Sequence, residues 1–123
     1  MALAPIRPGQ AVITPAFDLP NKHVMHCLGP VYGRDEPADE LLVACYRSAL
    51  ELAEEHKLEC ITFPAISTGA FGYPLIDAAT VALNAVAAEA TKLRHVRRIR
   101  FVLWGKEALD AHESALKSID IGP

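Results

Sequence analysis

Short apolar runs in this chain alternate with longer stretches in which apolar residues recur every three or four positions. The short runs predict four strands, at 11–14, 23–28, 60–63 and 96–104. The longer stretches predict three helices, one entered at Pro37 and ending near 56–58, one opened by Pro74, and one over roughly 106–118. This order favours a single α/β domain over residues 1–123, with 1–8 as an extended lead-in and a largely parallel sheet of about four strands.

Helical spacing also predicts which side chains face the core. Alanine is frequent among them, which suits helices that lie close to a sheet. The expected buried positions are Leu42, Cys45, Tyr46, Ala49, Leu52 and Ala53 in the first helix, Ile76, Ala79, Leu83, Val86, Ala87 and Ala90 in the second, and Leu109, His112, Leu116 and Ile119 in the third.

The stretch from Phe63 to Pro74 connects the third strand to the second helix and contains two hydroxyl residues and two glycines. Glycines let the backbone come close to a ligand, and inward N–H groups beside a helix N-terminus favour phosphate. The stretch is neither a Walker A loop nor a G-x-G-x-x-G fingerprint. Two interpretations therefore stay open on the residues alone, an anion site and an ordinary tight strand-to-helix connection.

Two other segments follow predicted strands, Gly29-Pro30 and Trp104-Gly105. In open α/β sheets ligands bind beyond the carboxyl ends of the strands, so both segments are expected on the same rim as 67–72. Trp104 is either a cap on the core or a platform on which a base stacks.

Composition excludes several classes of function. The 123 residues are 51% hydrophobic and carry a net charge of −3, which argues against a general nucleic-acid binder. The chain contains no apolar run that could span a bilayer, and residues 1–5 lack the features of a signal peptide.

The three cysteines form no C-x-x-C pair, which predicts reduced, buried thiols in a cytoplasmic protein. They are Cys27, Cys45 and Cys60. His23 and His26 face opposite sides of a strand and cannot chelate a metal together, so no metal site is expected. No cofactor is expected either.

The sequence resembles the macrodomain family, which binds ADP-ribose. The matching pieces are 9–14, 23–30, 63–74 and 101–104, in the family's order, and the run Pro64-Ala65-Ile66-Ser67-Thr68-Gly69-Ala70-Phe71-Gly72-Tyr73-Pro74 is the most specific of them. The resemblance implies a three-layer α/β/α fold. It implies that Ser67, Thr68, Gly69, Ala70, Phe71 and Gly72 wrap the diphosphate, with Phe71 beside the distal ribose. It also implies that Trp104 lies against adenine and that Gly29 and Pro30 end the strand next to the site.

The resemblance begins at residue 9, so the chain is expected to be a macrodomain truncated at its N-terminus, or one whose start is misassigned. The family segments without a counterpart hold two strands, a helix, an adenine-recognising Asp, an Asn-rich stretch and a Gly-rich first loop. One of those strands runs between the strands that match 23–28 and 60–63. We expect the two exposed edges either to close on each other or to be filled by a second copy, giving a homodimer through strand pairing or swapping.

The resemblance implies binding of ADP-ribose, a related nucleotide diphosphate or an ADP-ribosylated protein. An enzyme that hydrolyses ADP-ribosyl or O-acetyl-ADP-ribose esters is the second interpretation, and no catalytic residue is assigned to it. A third interpretation is a remnant that binds no nucleotide and acts as an interaction or oligomerising domain.

Overall fold

The computed structural model describes residues 7–15, 23–64, 66, 68, 72–103 and 105–118. Strands and helices alternate in the predicted order, and the fold class is α/β as expected. The elements are β1 (Ala11–Pro15), β2 (His23–Cys27), α1 (Ala38–Glu55), β3 (Cys60–Phe63), α2 (Leu75–Ala90), β4 (Arg98–Phe101) and α3 (Lys106–Ser118). The last strand is shorter than predicted, because only its central four residues pair with β3.

The described strands form two separate pairs. β1 and β2 are antiparallel, with Ala11 opposite Cys27. β3 and β4 are parallel, with Cys60 opposite Arg98, and α2 supplies the crossover that a parallel pair requires. Within the described residues β2 and β3 do not pair, so the direct closure of these two edges does not occur in this chain.

Helix α1 contacts both strand pairs and holds them in place. The Cys45 thiol donates to the Leu28 carbonyl oxygen at 3.1 Å, just beyond the end of β2. The next residue, Tyr46, places its ring 4.9 Å from that of Phe63 at the end of β3. Neighbouring residues of one helix therefore contact both strand pairs.

The core lies between α1, α2 and the β3–β4 pair. Leu42, Leu50 and Ala53 of α1 have no exposed surface, and Tyr46 is 1% exposed. The rings of Phe63 and Phe101 lie 5.7 Å apart beneath this helix. The predicted inward face of α1 is therefore confirmed, except that Leu50 is fully buried while Leu52 is only partly so.

The predicted buried faces of α2 and α3 are partly wrong. Ile76 is 73% exposed, and Leu109 and Leu116 are about half exposed. Alanines fill much of the interior instead, and the buried residues are Ala78, Ala79, Ala82, Leu83, Ala85 and Glu89 in α2 and Ala108, His112 and Ala115 in α3. α2 packs against both α1 and α3, and small side chains allow such close packing between helices.

The cysteine prediction holds for Cys45 and fails for Cys60. Cys45 is buried and Cys60 is exposed, and neither forms a disulfide. Along β3 burial alternates, so Cys60 and Thr62 face outward while Ile61 and Phe63 face the core. The side chain of Cys27 lies outside the described part of the chain.

No helix in the part of the chain that the structure describes is both long enough and apolar enough to cross a membrane.

Candidate functional site

The candidate site lies at the carboxyl ends of β3 and β4. These strands finish together, because the Val102 N–H donates to the Phe63 carbonyl oxygen at 2.8 Å, directly after β4. The chain continues from Phe63 through the glycine-containing segment to Pro74, where α2 begins. The segment therefore begins at the carboxyl edge of the parallel pair, where α/β folds bind their ligands.

Two buried side chains anchor the segment that the sequence singles out. Ile66 is 9% exposed and Tyr73 is 3% exposed, and both belong to the hydrophobic core. Thr68 is partly buried, and Gly72 is exposed with a φ of +75°. That left-handed conformation suits glycine, so the backbone turns at Gly72 immediately before the Tyr73 anchor. Ser67, Gly69, Ala70, Phe71 and Trp104 lie outside the described residues.

The N-terminal end of α2 presents N–H groups to the same rim. Pro74 is the N-cap and no side chain caps the helix. The first N–H bonded within the helix is that of Ala78, which donates to the Pro74 carbonyl oxygen at 2.8 Å. The N–H groups of residues 75–77 therefore have no acceptor within the helix, and with the helix dipole they favour an anion. The carboxylate of Asp77, in the first turn, opposes this effect.

The Gly29-Pro30 segment is buried and fixed by its neighbours. Just before it, the Leu28 carbonyl oxygen accepts from the Gly9 N–H at 2.8 Å. Just after it, the Val31 N–H donates to a carboxylate oxygen of Asp35 at 2.8 Å. Held on both sides, this segment can serve as a preformed wall of the site.

A tyrosine pair brings the segment after β2 next to the segment after β3. The rings of Tyr32 and Tyr73 lie 5.0 Å apart at an angle of 59°. The Tyr73 hydroxyl donates a hydrogen bond to a carboxylate oxygen of Asp39, in the first turn of α1. Burial and then this bond to Asp39 raise the pKa of Tyr73 well above its ordinary value of 10.0. Like any tyrosine, the phenol is a hydrogen-bond donor at neutral pH, and the raised pKa lets it keep its proton further into the alkaline range.

The sequence analysis did not identify Tyr73, Tyr32 or Asp39 as site residues. Asp39 and Tyr73 are 34 positions apart, so no local periodicity relates them. One local signal was available in the sequence. Tyr73 is a large aromatic residue between Gly72 and Pro74, in a loop where small or polar residues are usual. Of the positions predicted for the site, Thr68, Gly72, Gly29 and Pro30 lie within the described residues, on the segments that meet at this rim.

Among the described residues, no group of three or more His, Cys, Asp and Glu side chains is arranged to hold a metal ion.

A family model for the Macro domain matches residues 1–82, which is more than half of the chain. The chain belongs to the macrodomain family. A Macro domain-containing protein of Methanosarcina mazei is 40% identical over 112 residues, covering 90% of this chain and 60% of the relative. A relative from Klebsiella pneumoniae named O-acetyl-ADP-ribose deacetylase is also 40% identical, covering 90% of this chain and 64% of the relative.

Solved macrodomains share the fold of this chain. A mutant macrodomain of Oceanobacillus iheyensis, solved with ADPR (ADP-ribose), superposes with a TM-score of 0.86 at 34% identity. The superposition covers 91% of this chain and 60% of that structure. The chain thus spans about 60% of the length of the Methanosarcina mazei and Oceanobacillus iheyensis proteins.

Proposed function

We propose that this macrodomain chain binds ADP-ribose, or a related nucleotide diphosphate, at the rim beyond β3 and β4. Ser67, Thr68, Gly69, Ala70, Phe71 and Gly72 hold the diphosphate in this proposal. The observation that carries it is the position of this segment between the Ile66 and Tyr73 anchors and directly before the N-terminal end of α2. Uncapped N–H groups at that helix end are suited to a phosphate.

The remaining parts of the ligand are assigned from the macrodomain resemblance. Phe71 lies beside the distal ribose and Trp104 against adenine in this proposal, while Gly29 and Pro30 form a wall next to the diphosphate segment. The buried Gly29-Pro30 segment, fixed by the Val31 and Leu28 hydrogen bonds, supports the last assignment. The Oceanobacillus iheyensis macrodomain solved with ADPR supports the choice of ligand.

Titration calorimetry with ADP-ribose tests the proposal, using Gly69→Glu and Ala88→Glu as a matched pair. Both variants add one carboxylate. Gly69 is in the diphosphate segment, whereas Ala88 is exposed near the C-terminal end of α2, about 20 Å along the helix from its first turn. We expect wild-type binding in the micromolar range, a loss of at least about tenfold in Gly69→Glu through like-charge repulsion, and no change in Ala88→Glu.

Folded wild-type protein that does not bind ADP-ribose would overturn the proposal and would favour the non-binding interaction domain. Equal losses in both glutamate variants would show that total charge, and not the 67–72 segment, controls binding.

A second function, hydrolysis of O-acetyl-ADP-ribose or of ADP-ribosyl esters on proteins, is favoured by the deacetylase from Klebsiella pneumoniae at 40% identity. In that reaction water adds to the ester carbonyl carbon, the bond to the ribose oxygen breaks, and the acid and ADP-ribose are released. Mass spectrometry of O-acetyl-ADP-ribose incubated with the chain tests it. Turnover in wild type and its loss in Gly69→Glu would support an enzyme, whereas binding without turnover would leave a binding module.

We further propose that the chain forms a homodimer through the edges of β2 and β3. Within the described residues these edges are unpaired, and an isolated two-stranded sheet is marginally stable in water. Light scattering that gives twice the mass of 13.3 kDa supports the dimer, and a monomeric mass contradicts it.

A cytoplasmic location is also part of this proposal, supported by the exposed thiol of Cys60, which is not in a disulfide. Fractionation of cells expressing the tagged protein tests it, and recovery in a secreted fraction would contradict it.

A further inference from the structure

Tyr73 combines a buried ring with a hydroxyl group that reaches out of the core. The residue is 3% exposed and its ring lies in the hydrophobic core beside that of Tyr32. Its hydroxyl donates to Asp39, which is exposed at the start of α1. A phenylalanine would fill the same space in the core, so packing alone does not explain the hydroxyl. The polar tip is explained by the hydrogen bond that it makes.

That hydrogen bond joins two elements that meet at the candidate site. Asp39 lies in the first turn of α1, while Tyr73 lies between Gly72 and the N-cap of α2. A donor bonded to a carboxylate forms one of the stronger hydrogen bonds in proteins. The raised pKa of Tyr73 is consistent with a phenol that keeps its proton in this position.

Tyr73 is also one of the two core residues that flank the diphosphate segment. Ile66 anchors the segment at one end, and Tyr73 anchors it at the other. Between these anchors the backbone turns at Gly72, whose left-handed φ of +75° glycine adopts readily. Within the described residues, Tyr73 is the core residue that follows this turn.

We propose that Tyr73 is a positioning residue for the diphosphate segment, held by its hydrogen bond to Asp39 and by the Tyr32 ring. The inference rests on the proposed function, since the segment that it positions is the one assigned to the diphosphate. It adds three residues to that function, Tyr32, Asp39 and Tyr73. They affect ligand binding by positioning the segment, without touching the ligand themselves.

Four variants test the hydrogen bond, with ADP-ribose affinity measured by calorimetry. Tyr73→Phe removes the donor and keeps the ring, and Asp39→Ala removes the acceptor. We expect each to weaken binding by about tenfold, because the binding-competent arrangement becomes less populated. Asp39→Asn keeps an oxygen that accepts from the phenol, so it should bind within about twofold of wild type. The double variant Tyr73→Phe/Asp39→Ala should be no weaker than either single variant, since the two residues act as one unit.

Charge alone predicts a change of affinity in the opposite direction for Asp39→Ala. Removing a carboxylate near an anion strengthens binding, so electrostatics predicts tighter binding in both Asp39→Ala and Asp39→Asn. Glu51→Ala, which removes an exposed carboxylate about 18 Å further along α1, is the charge-matched control and should leave the affinity unchanged. Tighter binding in Asp39→Ala would overturn the proposal.

Hydrogen exchange of the ligand-free protein separates this inference from the proposed function. In peptides covering residues 64–74, we expect faster amide exchange in Tyr73→Phe and Asp39→Ala than in wild type, and wild-type exchange in Asp39→Asn. If wild type does not bind ADP-ribose, the proposed function fails while this pattern still supports the positioning role. Unchanged exchange in both Tyr73→Phe and Asp39→Ala overturns the positioning role, whatever the ligand.

Discussion

Lys57 is a residue whose backbone and side chain are poorly matched. It follows the end of α1 with a φ of +56°, a left-handed conformation that its Cβ disfavours. Two hydrogen bonds explain why the chain adopts it, because the Lys57 N–H donates to the Glu54 carbonyl oxygen at 3.0 Å and the Leu58 N–H to that of Ala53 at 2.9 Å. These bonds form a Schellman motif, in which glycine is the usual residue at this position.

Lys57→Gly is therefore expected to stabilise the protein. Removing the Cβ relieves the left-handed conformation, and the greater freedom of glycine in the unfolded chain offsets part of the gain. We expect the free energy of unfolding, measured by urea denaturation, to rise by about 0.5–1 kcal/mol. Lys57→Ala keeps the Cβ and serves as the control, so an equal gain in both variants would contradict this explanation.

At the scale of elements, the C-terminal part of α1 organises the turn that leads into β4. The Glu54 carboxylate accepts hydrogen bonds from three successive N–H groups, those of Val96 at 2.7 Å, His95 at 2.8 Å and Arg94 at 3.0 Å. These bonds, with that of Val96 the largest contribution, lower the pKa of Glu54 below its ordinary value of 4.5. The Glu54 side chain thereby fixes the turn that precedes β4. Within the described residues, β4 pairs only with β3.

Glu54 is expected to give the protein a stability that depends on pH. Its pKa is lower in the folded than in the unfolded state, so the carboxylate stabilises the fold at pH values above 4.5 and loses this effect as the pH falls through the folded pKa. Glu54→Gln should therefore lower the melting temperature at pH 7, and the difference from wild type should shrink toward pH 3. Glu113→Gln, at an exposed site on α3, is the control. A difference that stays constant between pH 7 and pH 3 would refute the role of the charged form.

For the whole molecule, α1 is the element that joins the parts. Its Ser48 hydroxyl donates to the Gly9 carbonyl oxygen at 3.0 Å beside β1, and its Cys45 thiol reaches the end of β2. On the same helix, Tyr46 packs on Phe63 of β3 and on Phe101 of β4, with ring centroids 4.9 Å and 6.1 Å apart. The two strand pairs, which do not pair with each other, thus depend on one helix for their relative positions.

Loss of packing in α1 should consequently destabilise the whole domain at once. Leu42 has no exposed surface, so Leu42→Ala should lower the free energy of unfolding by about 2–5 kcal/mol. Leu116→Ala, at a position 48% exposed on α3, should lower it by about 1 kcal/mol or less. Unfolding followed by circular dichroism and by tryptophan fluorescence should give one coincident transition in both variants. Separate transitions would show that the strand pairs unfold independently of α1.

The sequence was enough to predict the order of the strands and helices, their approximate bounds and the place of the candidate segment between β3 and α2. Prolines, glycines and short-range periodicity act within a few residues, so they can be read locally. Other features were decided only by the tertiary structure. The inward faces of α2 and α3 contain alanine in place of Ile76, Leu109 and Leu116, since the helices pack against one another. Likewise, the pairing of strands depends on which edges α1 brings together, and the bond between Tyr73 and Asp39 joins residues 34 positions apart. Such contacts arise only when the chain is folded, so no local pattern of residues encodes them.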